Sequence, residues 1–159
     1  MIRNLIAVIY LMFLSLILQA QTGNYYYETA VYKEDIKSSL MFREGFVLSN
    51  PIIGLNEDQR LVMKFDDLSG EVKDYSYTII HCDADWKESF IAQNDYIEGF
   101  LENPVDDYAR SFNTTFSYVN YQIVLPNEQV RFKVSGNYVL VVYENSDKGN
   151  IVLTYRFHV

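Results

Sequence analysis

The sequence predicts an all-β fold, an antiparallel β-sandwich of immunoglobulin or fibronectin type III character. Three observations carry that prediction. Apolar and polar residues alternate with period two in five segments rich in Tyr, Val, Ile and Phe. Successive strand side chains leave opposite faces, so this alternation is what a half-buried strand requires. Clusters of Gly, Pro, Asn, Asp and Ser separate the segments, and these residue types favour turns. No stretch sustains a helical period. A small β-barrel is the alternative arrangement of the same strands. The chain has one cysteine, which excludes the inter-sheet disulfide of antibody domains.

The elements follow in order. Residues 1–20 carry one charged side chain, Arg3, then an apolar run from Leu5 to Leu18 broken by Ser15, then Gln19-Ala20. A positive start, a short apolar core and a small residue at the end read as a cleavable secretory signal peptide. The rival reading, a transmembrane anchor, needs roughly 18–20 apolar residues and a basic flank, and has neither. No cysteine follows the run to carry a lipid. Residues 21–34 (QTGNYYYETAVYKE) are polar and tyrosine-rich. They form an extended leader that docks on the domain or on a partner.

Residues 35–159 form the sandwich. Ile36 to Phe42 and Phe46 to Ile53 are the less regular candidates for its first strands. Clear alternation follows at Leu61, Met63 and Phe65, then at Tyr75, Tyr77 and Ile79. It returns at Val119, Tyr121 and Ile123, at Tyr138, Leu140 and Val142, and at Ile151, Leu153, Tyr155 and Phe157. Asn50-Pro51, Ser69-Gly70, Pro126-Asn127 and Ser135-Gly136-Asn137 punctuate these runs. The turn from Asn145 to Asn150 joins the last two strands in a terminal hairpin. Asn94 to Leu101 is a short helix candidate, weakened by Gly99.

Charge narrows the function. Cleavage after Ala20 removes Arg3 and leaves 12 Lys and Arg against 21 Asp and Glu, a net charge of −9 over 139 residues. That balance opposes nucleic-acid binding, which depends on phosphate neutralisation, and opposes anionic membranes. A domain of this length buries roughly two thirds of its unfolded surface and needs no staple. The lone Cys82 is expected to be buried and inert.

The stretch YTIIHCDADW, 77–86, concentrates the rare residues: one of two histidines, the cysteine, Asp83-x-Asp85 and the only tryptophan. On a strand, His81 and Cys82 point to opposite faces and cannot form a nucleophile–base pair. A Cys82–His158 dyad requires their strands to be neighbours. Zinc asks for three or four Cys or His ligands, and the chain has three such side chains in all. Calcium is better served, with Asp83, Asp85, Asp66-Asp67 and Asp106-Asp107 as oxygen donors. No loop has the D-x-[DN]-x-[DN]-G spacing, however. Asp83-Ala84-Asp85 fits a turn closed by side-chain bonds to backbone N–H groups. Carboxylate pairs for glycoside hydrolysis are too abundant here for any to stand out. No glycine-rich phosphate loop and no G-x-S-x-G is present. Trp86 is a core or rim anchor before it is a sugar-stacking platform. An aromatic content of 16% leaves tyrosines over for a contact surface. The residues thus describe an exported, acidic, all-β binding protein with no catalytic centre and no cofactor.

Five pieces in order, REGF (43–46), NPIIGLN (50–56), FDDLSGEVKDY (65–75), IHCDADW (80–86) and SGNYVLVVYE (135–144), resemble one family. Together they look like the first domain of the plug protein of the type IX secretion system, over roughly 32–159. The resemblance implies a periplasmic, non-enzymatic protein that occludes the periplasmic end of an outer-membrane translocon barrel when no substrate fills it. The implied partner is that barrel, with no membrane insertion by the plug itself. His81, Cys82, Asp83, Asp85 and Trp86, with Asp66 and Asp67, become a structural signature. Asp83 and Asp85 would fix a turn at a strand end, and Trp86 would anchor the loop that follows. Plug proteins of this family are considerably longer and continue into further domains. An exported carbohydrate- or protein-binding sandwich is the alternative.

Overall fold

The computed structural model describes residues 27–159. The expected signal peptide and the first residues of the leader lie outside them. The strands are β1 (Ala30–Val31), β2 (Ile36–Arg43), β3 (Leu61–Asp67), β4 (Tyr75–Cys82), β5 (Ile97–Gly99), β6 (Glu102–Pro104), β7 (Asp107–Arg110), β8 (Val119–Leu125), β9 (Val130–Phe132), β10 (Asn137–Glu144) and β11 (Ile151–His158). One helical turn, α1 (Gln93–Tyr96), precedes β5. A five-stranded sheet runs β1-β11-β10-β4-β6 and a four-stranded sheet runs β2-β3-β8-β7, with β5-β9 as a separate pair. Every ladder is antiparallel. Both main sheets are open, so the sandwich holds and the small barrel is set aside.

The main core lies between the sheets. Leu61, Met63 and Phe65 of β3 meet Tyr121, Ile123 and Leu125 of β8 on one side, and Tyr77, Ile79, Tyr138, Leu140 and Val142 face them from the other. β8 buries every odd residue and leaves Asn120, Gln122 and Val124 half-buried, the pattern of a sheet with one wet face. Aromatic rings close both ends of this core. Phe65, Tyr75 and Tyr121 pack within 5.5 Å of one another at one end. Tyr138 stacks on Phe157 at 5.4 Å at the other.

β10 departs from simple alternation because both its faces are buried. Its even residues join the main core. Val139, Val141 and Tyr143 form a second cluster with Ile80 and Cys82 on the outer face of the five-stranded sheet. Tyr27, Trp86 and Ile151 pack against that cluster. The leader docks on the domain here. Arg156 donates to the Tyr27 carbonyl at 2.6 Å, Thr154 donates to the Glu28 carbonyl at 2.6 Å, and Tyr32 N–H donates to the Val152 carbonyl at 2.9 Å. Continuous apolar residues in NYVLVVYE are thus the mark of a strand covered on two faces.

Two of the less regular expectations change. Phe46 to Ile53 is a loop, with Phe46, Val47 and Leu48 exposed. Gly45 at φ +80° turns the chain back, and Phe46 bridges to Arg43. Asn94 to Leu101 is helical only up to Tyr96, after which Ile97–Gly99 pairs with β9. Cross-strand pairing with Val130–Phe132 outweighs the weak helical preference of so short a segment.

Candidate functional site

The signature stretch sits at the end of β4. The alternation of this strand fixes its geometry: Tyr75, Tyr77, Ile79 and His81 face the main core, and Ile80 and Cys82 face the outer cluster. The His81 ring packs edge-on against Tyr138 at 5.0 Å and lies 5.5 Å from Tyr96. Its Nδ1 shares a 2.8 Å hydrogen bond with the Ser89 hydroxyl, and Ser89 N–H donates to the His81 carbonyl at 3.0 Å. Nε2 is buried without a hydrogen-bond partner and abuts Gly136, where an added Cβ would lie 2.4 Å away.

Cys82 is buried with the outer cluster. Burial, followed by the charges of Asp83 and Glu88, pushes its thiol up to about 11. A thiol held protonated is a poor nucleophile. β10 lies between β4 and β11, so the strands of Cys82 and His158 are not neighbours. His158 instead hydrogen-bonds Asn137 through Nδ1 at 2.9 Å.

Asp83 closes the turn after β4. Its Oδ1 accepts the N–H groups of Asp85 and Lys87, each at 2.9 Å, and Asp83 N–H donates to the Lys87 carbonyl at 2.8 Å. Asp85 contributes its backbone N–H, and its side chain faces solvent. Trp86 takes a positive φ of 60°. Its ring turns back over the sheet: the Arg156 guanidinium lies 4.3 Å above it and the His158 ring meets it at 5.3 Å. Trp86 therefore anchors on β11, and the loop that follows is tied down by Ser89 instead. Trp86 also packs against the outer cluster, so its ring is part-covered by protein groups.

Asp66 and Asp67 lie at the far end of β3, away from this cluster, and face opposite ways. Asp66 accepts from the Asn120 amide at 2.7 Å on the outer face. Asp67 is fully buried. Its carboxylate accepts Ser69 N–H at 2.8 Å and the Tyr75 hydroxyl at 2.8 Å, and pairs with the Lys73 ammonium at 3.1 Å. Burial alone would raise its pKa, but these three donors outweigh it and hold the carboxyl below the usual carboxylate range. Burial, then Asp67 itself, pushes the Tyr75 hydroxyl well up. The Tyr121 hydroxyl accepts Lys73 N–H at 2.8 Å and keeps this turn in place.

Among the described residues, no group of three or more His, Cys, Asp and Glu side chains could hold a metal ion. No helix there is long and apolar enough to cross a membrane. A cleft of about 420 Å³ opens between the β2–β3 and β8–β9 loops, lined by Gly54, Asn56, Arg60, Asn127 and Arg131 among others. It contains none of the signature residues. Sequence reasoning missed the surface aromatics. The exposed aromatic residues are mainly phenylalanines, Phe46, Phe90, Phe100, Phe112 and Phe116, while the buried tyrosines line the cores.

Comparison with known proteins places this arrangement. A crystal structure of a hypothetical protein from Parabacteroides merdae ATCC 43184 superposes with a TM-score of 0.81 at 36% identity, over 86% of this chain and 34% of that one. The chain thus spans about a third of that solved relative. A Pseudomonas fluorescens alkylpurine DNA glycosylase aligns with a TM-score of 0.34 at 11% identity, over 78% of this chain and 29% of that one, and carries no likeness to argue from. A search of curated proteins finds no match. The family model for the type 9 secretion system plug protein 1st domain matches residues 36–159, and the chain belongs to that family.

Proposed function

We propose that this protein is a non-enzymatic component of type IX secretion, placed in the periplasm, where it helps to close the periplasmic mouth of the outer-membrane translocon barrel. The observation that carries the reading is the family match over residues 36–159. The chemistry of the signature supports it. His81 hydrogen-bonds Ser89, Asp67 holds Lys73 and Tyr75, and Asp83 closes its own turn. These groups bond to neighbouring residues of the chain and line neither of the two main clefts, whose one contact with β4 is Tyr77. Export through the expected signal peptide of residues 1–20 supplies the route to the periplasm. The acidic surface and exposed phenylalanines suit protein contact.

The test is affinity purification of the tagged mature chain, residues 21–159, from solubilised envelopes, read by mass spectrometry. Enrichment of a very large outer-membrane barrel over an untagged control is the expected result. Recovery of no barrel from envelopes shown to contain one overturns the claim that this domain carries the plugging contact.

A further inference from the structure

The edges of the two main sheets are not alike. Unpaired strand edges invite another strand, and proteins blunt them. Along β11 the outward groups are taken up by the leader and the β2–β3 loop: Val152 by Tyr32, Arg156 N–H by the Thr29 hydroxyl, and His158 by Pro51 and Ile53. β6 is three residues long and ends on Pro104, which has no N–H to offer. β2 is broken by a register shift between Lys37 and Leu40, with Ser38 at φ +53°.

β7 carries neither proline nor bulge, and all four of its residues are exposed. Its ladder with β8 is regular from Asp107↔Gln122 to Arg110↔Val119. Ser111 N–H donates to the Tyr118 carbonyl at 2.9 Å, which sets the phase of that ladder. In an antiparallel pair the hydrogen-bonded residues alternate, so Asp107 and Ala109 face β8. The N–H and C=O groups of Tyr108 and Arg110 then face outward. Beside this edge stand Phe112 and Phe116, 84% and 78% exposed, and half-exposed Tyr108. Near Asp107, a cleft of about 340 Å³ is lined by Tyr77, Val105 and Ile123, with Asp106 and Glu128 as further lining carboxylates.

We infer that β7 is an acceptor edge, which takes an extended segment of another polypeptide as a fifth, antiparallel strand of the β2-β3-β8-β7 sheet. Free backbone groups on a ladder edge specify the occupant's conformation, and the flanking side chains specify its sequence. The segment carries apolar residues at alternate positions, to cover Tyr108, Phe112 and Phe116. It carries a lysine or arginine towards its C-terminal end, which an antiparallel strand places over Asp106 and Glu128. The four-residue length of β7 admits one short strand and discourages open-ended stacking. This inference rests on the ladder and not on the translocon reading, so either can fail alone.

A phage-displayed library of random peptides, selected on the mature chain, tests it. Enriched peptides are synthesised and added to isotope-labelled protein, and amide hydrogen exchange is followed residue by residue. The expected peptides alternate apolar and polar residues and slow exchange at Tyr108 and Arg110. Arg110→Pro removes one outward N–H without touching the β8 ladder, and abolishes binding. Arg110→Ala changes affinity by less than about fivefold, the scale of an exposed charge contact. Peptides that protect other amides, equal binding to Arg110→Pro as to the wild type in a variant that stays folded, or a library that yields no binder would each overturn the inference. The exchange pattern on the wild type decides the matter even where the proline variant does not fold.

Discussion

Replacing Asp67 by alanine is the most informative perturbation of the fold. The carboxylate is fully buried and holds three donors: Ser69 N–H, the Tyr75 hydroxyl and the Lys73 ammonium. Their fates differ on its removal. Ser69 is exposed and its N–H rehydrates. Lys73 is about a quarter exposed (27%), so its charge swings to water and the ion pair counts near the surface value, about 0–1 kcal/mol. The Tyr75 hydroxyl has no such escape, since the residue is 3% exposed. A buried donor left unpaired costs about 1–3 kcal/mol. The expected loss is therefore about 1–4 kcal/mol, a large share of a typical domain's roughly 5–15. At this chain length that lowers Tm by about 3–12 °C. Urea unfolding followed by near-ultraviolet circular dichroism measures it. Adding Tyr75→Phe to Asp67→Ala removes the orphaned hydroxyl and restores about 1–2 kcal/mol. A loss below about 1 kcal/mol in the single variant, or a further loss in the double variant, refutes the account. The pH dependence follows with its sign. The folded state lowers the Asp67 pKa below its ordinary 3.8. Its contribution is complete above that value and is lost as pH falls through the lower folded one. Asp67→Asn therefore flattens the decline in stability below about pH 4.

Three further outcomes are expected. Asp83→Ala removes the acceptor of two turn N–H groups and costs about 1 kcal/mol in chemical denaturation; unchanged stability counts against its role in closing the turn. Trp86→Ala strips the Arg156 contact and part of the cover over the outer cluster that holds Cys82, costing about 2–3 kcal/mol. Cys82 resists a maleimide in the native wild type and reacts measurably faster in that variant. Gly136→Ala drives a Cβ to 2.4 Å from a His81 ring pinned by Ser89 and Tyr138, and costs about 1–3 kcal/mol by overpacking. Adding His81→Ala relieves most of that penalty.

Strands whose apolar residues alternate are legible in the sequence, because alternation is a local signal. β3, β4, β8 and β11 follow from their period alone. The short strands do not. β5, β6, β7 and β9 are three or four residues each, too short to show a period, and are set by partners distant in sequence. At the signature, adjacency is decisive: neighbouring positions on a strand leave opposite faces, and that alone separates His81 from Cys82. The direction of Trp86 is not legible, since it depends on a positive φ at residue 86 and on Arg156, seventy residues away. The exposed phenylalanines escape for a related reason. Hydrophobicity reads Phe as core and Tyr as rim, whereas here tyrosine hydroxyls find buried acceptors, as Tyr75 does at Asp67, Tyr96 at Ile79 and Tyr138 at Val134.

That inversion bears on what the domain does. A polar side chain that is satisfied inside the fold has no free bonding capacity for a ligand. Asp67 is engaged in this way, and so are the hydroxyls of Tyr75 and Tyr138. Among the described residues, the surface also presents apolar area and the outward backbone of β7. The apolar area sits at both ends of the sandwich. Phe46, Val47, Leu48 and Ile52 lie on the loop bridged to His158, while Phe112 and Phe116 lie on the hairpin beyond Val119 at the opposite end. Apolar area and strand backbone can both bind another polypeptide, the one by burial and the other by pairing. A surface of that make-up is suited to contact with another polypeptide.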